Sequence, residues 1–132
     1  MTKPLPDKLP VKPYHETTKQ LGDDSELKAL RYLEARGCQL ITRQYRSRAG
    51  EIDLIVEDND TIVFVEVRYR KDTSRGTGAE TITTAKIRKI IITAHYFLIK
   101  HKQFKHHACR FDVISMDDSI DWIKRAFTLD DQ

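Results

Sequence analysis

Asp53 and Glu66 are the residues whose types and spacing most directly suggest chemistry. The chain runs Gly50-Glu51-Ile52-Asp53-Leu54-Ile55-Val56-Glu57, then Asp58-Asn59-Asp60, then Thr61-Ile62-Val63-Phe64-Val65-Glu66-Val67-Arg68. Two β-branched, aliphatic runs around a turn-forming cluster predict a pair of antiparallel strands. If Asn59-Asp60 is a two-residue turn, Asp58 faces Thr61, and the same register sets Asp53 opposite Glu66 with Cβ atoms roughly 5 Å apart. On the other face, Ile52 would meet Val67 and Leu54 would meet Val65. A four-residue loop keeps this register, whereas a three-residue loop would send the two carboxylates to opposite faces. Like charges directly opposed on neighbouring strands are unfavourable. A divalent cation held between two carboxylates relieves that repulsion, so a hard, oxygen-liganded metal is the first chemistry to expect.

Three further residues extend this constellation. Glu26 shares a helical face with Ala29, Leu30 and Leu33, at the edge of the stripe that should meet the sheet, where a carboxylate is costly unless paired or bound to a cation. It also fits a capping-box variant in Asp23-Asp24-Ser25-Glu26, and the two roles can coexist. Arg68 lies two residues after Glu66, hence on the same side of its strand. Lys86 opens a later helix and could bring an amine to the pair if that helix end faces the hairpin. Glu51, one residue out of register with Asp53, should point away, and Asp112 on a later strand reads as framework.

The elements that must position these groups can be read in order. Leu21–Gly37 has a leucine stripe at Leu27, Leu30 and Leu33, with Asp23 as a cap and Gly37 as a stop. Gln39–Tyr45 predicts a short strand, followed by a basic loop and the hairpin. Arg70–Glu80 is polar and contains Gly76 and Gly78, as a flexible loop would. A second helix begins near Thr83 or Thr84, with apolar spacing at Ile87, Ile90, Ile91, Ala94, Phe97 and Leu98. Strands are expected at Cys109–Ser115 and Ile120–Lys124, around a turn at Asp117-Asp118-Ser119. The fold class expected is α/β, a mixed central sheet flanked by helices in the order helix, three strands, helix, one or two strands. Residues 1–20 hold all four prolines and predict a disordered leader, leaving 21–132 as one domain.

Composition narrows the partners. With 33% charged and 39% hydrophobic residues, and no apolar run near the ~20 residues of a membrane span, the chain reads as globular, with no membrane partner. The N-terminus has no apolar signal-like segment, so a cytoplasmic location is expected. Cys38 and Cys109 are isolated and fit reduced thiols. The five histidines have no metal-ligand spacing. The net charge of +3 conceals a strong asymmetry: seven Lys/Arg and no acid lie between Lys86 and Arg110. Arg43, Arg46 and Arg48 cluster around Tyr45, and the chain turns acidic from Asp112. Clustered cations beside acids suggest a polyanion, nucleic acid first; Arg43, Arg46, Arg48, Lys86 and Lys89 are the candidate contacts. A solvated basic helix face is the plainer alternative.

Taken together these residues resemble the restriction-endonuclease-like fold of metal-dependent nucleases, whose motif is an acid, a gap, then a carboxylate-x-Lys on the next strand. More closely, the chain is similar to the bacterial YraN family from about Leu21 onward. The resemblance is carried by Ser25-Glu26 with Ala29 and Tyr32-Leu33-Glu34, by Tyr45-Arg46-Ser47-Arg48-Ala49-Gly50-Glu51-Ile52-Asp53-Leu54-Ile55, and by Val63-Phe64-Val65-Glu66-Val67-Arg68-Tyr69-Arg70. It continues through Thr83 with Lys86 and Arg110-Phe111-Asp112-Val113. It implies a restriction-endonuclease-like core, phosphodiester hydrolysis by an endonuclease or a Holliday-junction-resolvase-like enzyme, and Mg²⁺ or Mn²⁺ held by Asp53, Glu66 and Glu26. Catalytic roles then fall to Glu26, Asp53, Glu66, Arg68 and Lys86, with DNA preferred to RNA and a homodimer left open. Two positions depart from the pattern: Ser25 replaces the usual glycine, and Arg68 stands where the nuclease motif has lysine. Arginine stays protonated and cannot be a general base, but it can stabilise a pentavalent phosphate. The competing expectations are a nucleic-acid-binding module that has lost turnover and a protein-interaction domain.

Overall fold

A computed structural model of the chain describes residues 20–69 and 82–128, and of residues 20–23 the backbone alone. The expected leader, apart from Gln20, and the expected loop Arg70–Glu80 lie outside the described residues. The elements are α1 (Gln20–Ala35), β1 (Gln39–Arg46), β2 (Glu51–Asp58), β3 (Thr61–Tyr69), α2 (Thr84–Lys100), β4 (Ala108–Met116) and β5 (Ile120–Phe127), with a 3₁₀ turn at Lys102–Phe104 before β4. This is the expected mixed α/β order, with one sheet in the sequence β1-β2-β3-β4-β5. Neighbours are antiparallel except β3 and β4, which run parallel from Thr61↔Ala108 to Tyr69↔Met116. A parallel pair needs a long crossover, and α2 lies within it.

Each helix covers one sheet face. Ala29, Leu30 and Leu33 of α1 pack on Leu54, Val56, Val63, Val65, Ile114 and Met116. On the opposite face, Ile90, Ile91, Ala94 and Phe97 of α2 meet Ile52, Ile55, Ile62, Phe64, Phe111 and Val113. Phe97 is fully buried, its ring set edge-on to Tyr45 at 5.2 Å and to Phe64 at 6.0 Å. Burying a side chain of this size stabilises the fold by about 1.5–3 kcal/mol. No helix among the described residues is long and apolar enough to cross a membrane.

The helix ends follow local chemistry. At the end of α1, Gly37 takes φ +96, with Cys38 N donating to Leu33 O at 3.1 Å and Gly37 N to Glu34 O at 3.0 Å. That is a Schellman closure, which needs a left-handed residue at this position. Thr83 caps α2, its Oγ1 accepting from Lys86 N at 3.1 Å. The start of α1 differs from expectation. The helix begins at Gln20, so Asp23 lies inside it and is not the cap, and Glu26 stands in the second turn without a capping-box role.

The hairpin turn forms as expected. Asn59 and Asp60 both take positive φ (49 and 67), as a two-residue type I′ turn requires. Pairing then runs from Asp58↔Thr61 to Leu54↔Val65 in the expected register. Beyond Leu54 it changes. Ile52 packs with Ile55 on the α2 side, whereas Leu54 and Val67 pack on the α1 side, so Ile52 does not meet Val67. The alternation breaks at Asp53, which the β1–β2 register places across from Gln44, between the pairs Arg43↔Leu54 and Tyr45↔Ile52. Gln44 is left-handed (φ 51), and the two strands turn together at this point.

Asp112 has the framework role expected of it. Fully buried, it accepts from Arg110 Nε at 2.9 Å, Trp122 Nε1 at 2.8 Å and the Arg125 amide at 3.0 Å. Arg110 Nη2 also reaches Asp58 Oδ2 at 2.9 Å, tying β4 to the end of β2. Arg125 takes φ 54 at an irregularity in the β4–β5 ladder between Phe111 and Val113. Because the Asp112 carboxylate satisfies the amide there, β5 continues to Phe127 rather than stopping near Lys124. Asp112→Ala should therefore cost about 3–5 kcal/mol of unfolding free energy in urea melts, since it leaves the buried Arg110 charge with Asp58 alone and takes the acceptor from Trp122 Nε1 and the Arg125 amide. A loss under about 1 kcal/mol would show that the network does not brace the sheet.

Candidate metal and nucleic-acid site

The site lies where β2 parts from β3. Beyond Leu54↔Val65 the regular pairing ends, and the Asp53 side chain takes over, its Oδ2 accepting from Val67 N at 2.8 Å. Asp53 thus stays against β3 beside Glu66 instead of swinging away with its own backbone. Glu66 is buried on β3; its Oε1 has no hydrogen-bond partner and its Oε2 lies 3.4 Å from Lys86 Nζ. Lys86 comes from the first turn of α2, so this helix end does face the hairpin. Glu26 enters from α1, its Oε1 accepting from Gln44 Nε2 at 3.2 Å and lying 3.9 Å from Arg43 Nη2.

The electrostatics tie these acids together. Burial, and after it the Glu66 charge, push the Asp53 carboxyl well above its ordinary range; Glu26 pushes the same way and the Val67 amide opposes. A crowded pair with one unpartnered carboxylate oxygen attracts positive charge, whether a proton or a metal ion. The donor set fits Mg²⁺ or Mn²⁺, which take carboxylate oxygens and complete their shells with water and substrate phosphate. Among the described residues no three His, Cys, Asp or Glu side chains are gathered into a finished cation cage. Two close acids are present, and the third, Glu26, is engaged with Gln44 and Arg43.

The remaining expected residues divide into inner and outer groups. Arg68 follows Glu66 by two on β3, partly buried and across from Ser115 of β4. Arg43 is turned inward toward Glu26, and its Nε is buried without a partner. Arg46 is exposed and pairs with Glu51 at 3.3 Å, which gives Glu51 the structural role expected of it. Arg48 and Lys89 are exposed. The basic loop is fastened to α2: Ser47 Oγ meets Thr93 Oγ1 at 2.9 Å, and a Cβ on Gly50 would come within 3.3 Å of Lys89 Cβ. Sequence reasoning did not single out Gln44 or Thr93. Gln44 has no signal beyond its place next to Tyr45, whereas a threonine on the apolar face of α2 was a visible anomaly.

Among the described residues, no cysteine or histidine joins these acids. Cys38 and Cys109 are free, and the Cys38 thiol is pushed up to about 11, chiefly by burial. His101 is buried against Phe97 at 4.6 Å, and burial lowers its affinity for a proton.

The sequence that builds this sheet and these acids has relatives. The model of the uncharacterised protein family UPF0102 matches residues 25–116. A UPF0102 protein of Aeromonas hydrophila is 48% identical over 108 residues, covering 80% of this chain and 83% of the relative. One from Herminiimonas arsenicoxydans is 46% identical over 108 residues (81% and 83%), and one from Methylobacillus flagellatus 47% over 114 residues (83% and 98%). The chain belongs to the UPF0102 family. The matched span contains Glu26, Asp53, Glu66, Arg68 and Lys86.

The raised Asp53 carboxyl has a signed consequence for stability. The folded protein holds this proton more tightly than the unfolded chain does. Its contribution is therefore present at low pH and is lost as pH rises from the ordinary carboxylate range through the raised value. Asp53→Asn keeps an acceptor for Val67 N and removes the charge. Without metal, it should melt higher than the parent at pH 7, by an amount on the order of 5 °C, with the advantage shrinking toward pH 4. An equal difference at both pH values would contradict the crowded-carboxylate account.

Proposed function

We propose that this protein is a metal-dependent nuclease that hydrolyses nucleic-acid phosphodiesters, with an endonuclease or junction-resolving activity on a restriction-endonuclease-like core. The observation that carries the reading is the convergence of Asp53, Glu66 and Lys86, with Lys86 Nζ 3.4 Å from Glu66 Oε2, where β2 leaves β3. Lys86 offers from α2 an amine that the arginine at position 68 does not provide. Asp53 and Glu66 would hold Mg²⁺ or Mn²⁺, with Glu26 in reserve behind Gln44. Bound there, the ion supplies Lewis acidity toward a phosphate oxygen and a more acidic water.

The protein's own groups do the rest. Lys86 and the permanently charged Arg68 stabilise charge accumulating on the phosphoryl oxygens as water adds and the P–O bond breaks. The proton lost by the water leaves through solvent. Arg46, Arg48 and Lys89 hold the strand through its phosphates, which makes binding fall steeply with salt. DNA is the preferred polymer in this reading.

Arg68 favours a second reading, a module that binds nucleic acid without turning it over, because the usual motif lysine is absent from β3. Calorimetric titration with Mn²⁺ and a cleavage panel of single-stranded, duplex and branched DNA and RNA separate the two. The nuclease reading expects one Mn²⁺ site lost in Asp53→Ala, cleavage abolished in Glu66→Ala, and turnover lowered by about 10²–10³ in Lys86→Ala. Metal binding in neither protein would sink it. Metal binding without cleavage of any substrate would leave the binding module.

A further inference from the structure

A pocket lies on the α2 side of the sheet. It has a volume of about 340 Å³ and is lined by Tyr45, Arg46, Ser47, Arg48, Tyr96 and Lys100. Its lining among the described residues holds three cationic side chains and two tyrosines and no acid, and Arg46 is also paired with Glu51 at 3.3 Å. Tyr96 is 46% exposed. The Tyr45 ring is fixed below by its edge-on contact with Phe97.

The pocket is built rather than incidental. Its loop wall closes through Ser47 N donating to Gly50 O at 2.8 Å and Ala49 N donating to Ser47 Oγ at 3.0 Å. The same Ser47 hydroxyl contacts Thr93 Oγ1, which donates to Lys89 O at 2.8 Å. The cations of Arg46 and Arg48 are thereby carried on a loop anchored to the helix that bears Tyr96 and Lys100. Part of the recognition entropy is spent in folding, so binding loses less to ordering.

The pocket also continues the candidate site. Lys86, Lys89, Tyr96 and Lys100 lie along one side of α2, with the buried Thr93 between them covered by the Ser47 loop. Fourteen residues of helix span about 21 Å, close to six steps of a stacked strand at roughly 3.4 Å each. One end of this line is the amine at Glu66 and the other is the aromatic, cationic pocket.

We infer that the pocket formed by Tyr96, Lys100, Arg46 and Arg48 is a nucleotide subsite, which stacks one unpaired base on Tyr96 and grips its phosphate with the three cations. This rests on the reading of nucleic acid as the substrate and adds to it a single-stranded segment, held toward the end of α2 opposite Lys86, as a determinant of recognition. An aromatic platform beside Arg and Lys suits an unpaired base, because a base held in a duplex cannot present its face. A bare basic patch needs no tyrosine, whereas a stacking platform does. The volume accommodates one nucleotide and not a helix.

The test measures binding in EDTA, so that it does not depend on metal or turnover. Fluorescence anisotropy compares labelled dT12, a 12-mer of equal charge whose central residues are abasic, and a duplex, each against the parent protein, Tyr96→Ala, Tyr96→Phe and Lys100→Gln. Thermal melting checks that each variant is folded. The inference expects dT12 to bind about tenfold more tightly than the abasic strand. That preference should vanish in Tyr96→Ala and survive in Tyr96→Phe. Lys100→Gln should weaken both strands alike and flatten the salt dependence, and duplex binding should be indifferent to Tyr96. Equal affinity of the parent for dT12 and the abasic strand would overturn the subsite while leaving the nuclease reading to its metal and cleavage tests. A preference unaffected by Tyr96→Ala would overturn it as well, by placing base recognition elsewhere. Failure of metal binding together with a Tyr96-dependent preference would sink the nuclease reading and uphold the subsite.

Discussion

The hydrogen bond from Val67 N to Asp53 Oδ2 is the interaction on which the arrangement of the site depends. A sheet edge that opens leaves backbone donors unpaired, and a buried unpaired amide costs on the order of a hydrogen bond. Here a side chain replaces the missing backbone acceptor. β2 can then leave β3 after Leu54 without stranding Val67, and the carboxylate that closes the gap is held against Glu66. Opening the strands and assembling the acids are one event. The electrostatic crowding that follows, with Asp53 pushed toward its protonated form, comes from the same contact.

Everything else in the domain holds that opening in place from one direction or another. α1 seals one face through Ala29, Leu30 and Leu33 and sends Glu26 toward Gln44. α2 seals the other through Ile90, Ile91 and Phe97, brings Lys86 to Glu66, and fastens the basic loop through Thr93. At the far end of the hairpin, Asp112 and Arg110 bind β4 to β5 and to Asp58. The strands are thus tied firmly at the turn and parted at the acids. A rigid hinge of this kind is what a preformed binding site needs, because ordering costs are met in folding.

Much of this was legible in the residue pattern, and the omissions have physical causes. The Asn59-Asp60 turn and its register could be read because type I′ turns draw on few residue types and side-chain alternation fixes the rest. The slip that moves Ile52 to the α2 face could not, because it depends on a left-handed Gln44, a residue with no marked preference for that conformation. Glu26 has no capping role because α1 starts three residues before Asp23, and polar residues of that kind do not mark a helix start uniquely. The approach of Lys86 to Glu66 was a conditional expectation, since the crossover between β3 and β4 decides where the start of α2 lies. The pocket around Tyr96 is not legible in the sequence, because its partners Arg46 and Arg48 are about 50 residues earlier in the chain.

The central claim is that Asp53 and Glu66 are held together to receive a divalent cation. The most direct measurement is an anomalous difference map from crystals soaked in Mn²⁺. The account predicts one strong peak in bonding contact with a carboxylate oxygen of Asp53 and one of Glu66, with Lys86 displaced from Glu66 or turned toward the remaining coordination sites. A map with no peak at this pair, or with the ion bound only at other carboxylates of the surface, would contradict it.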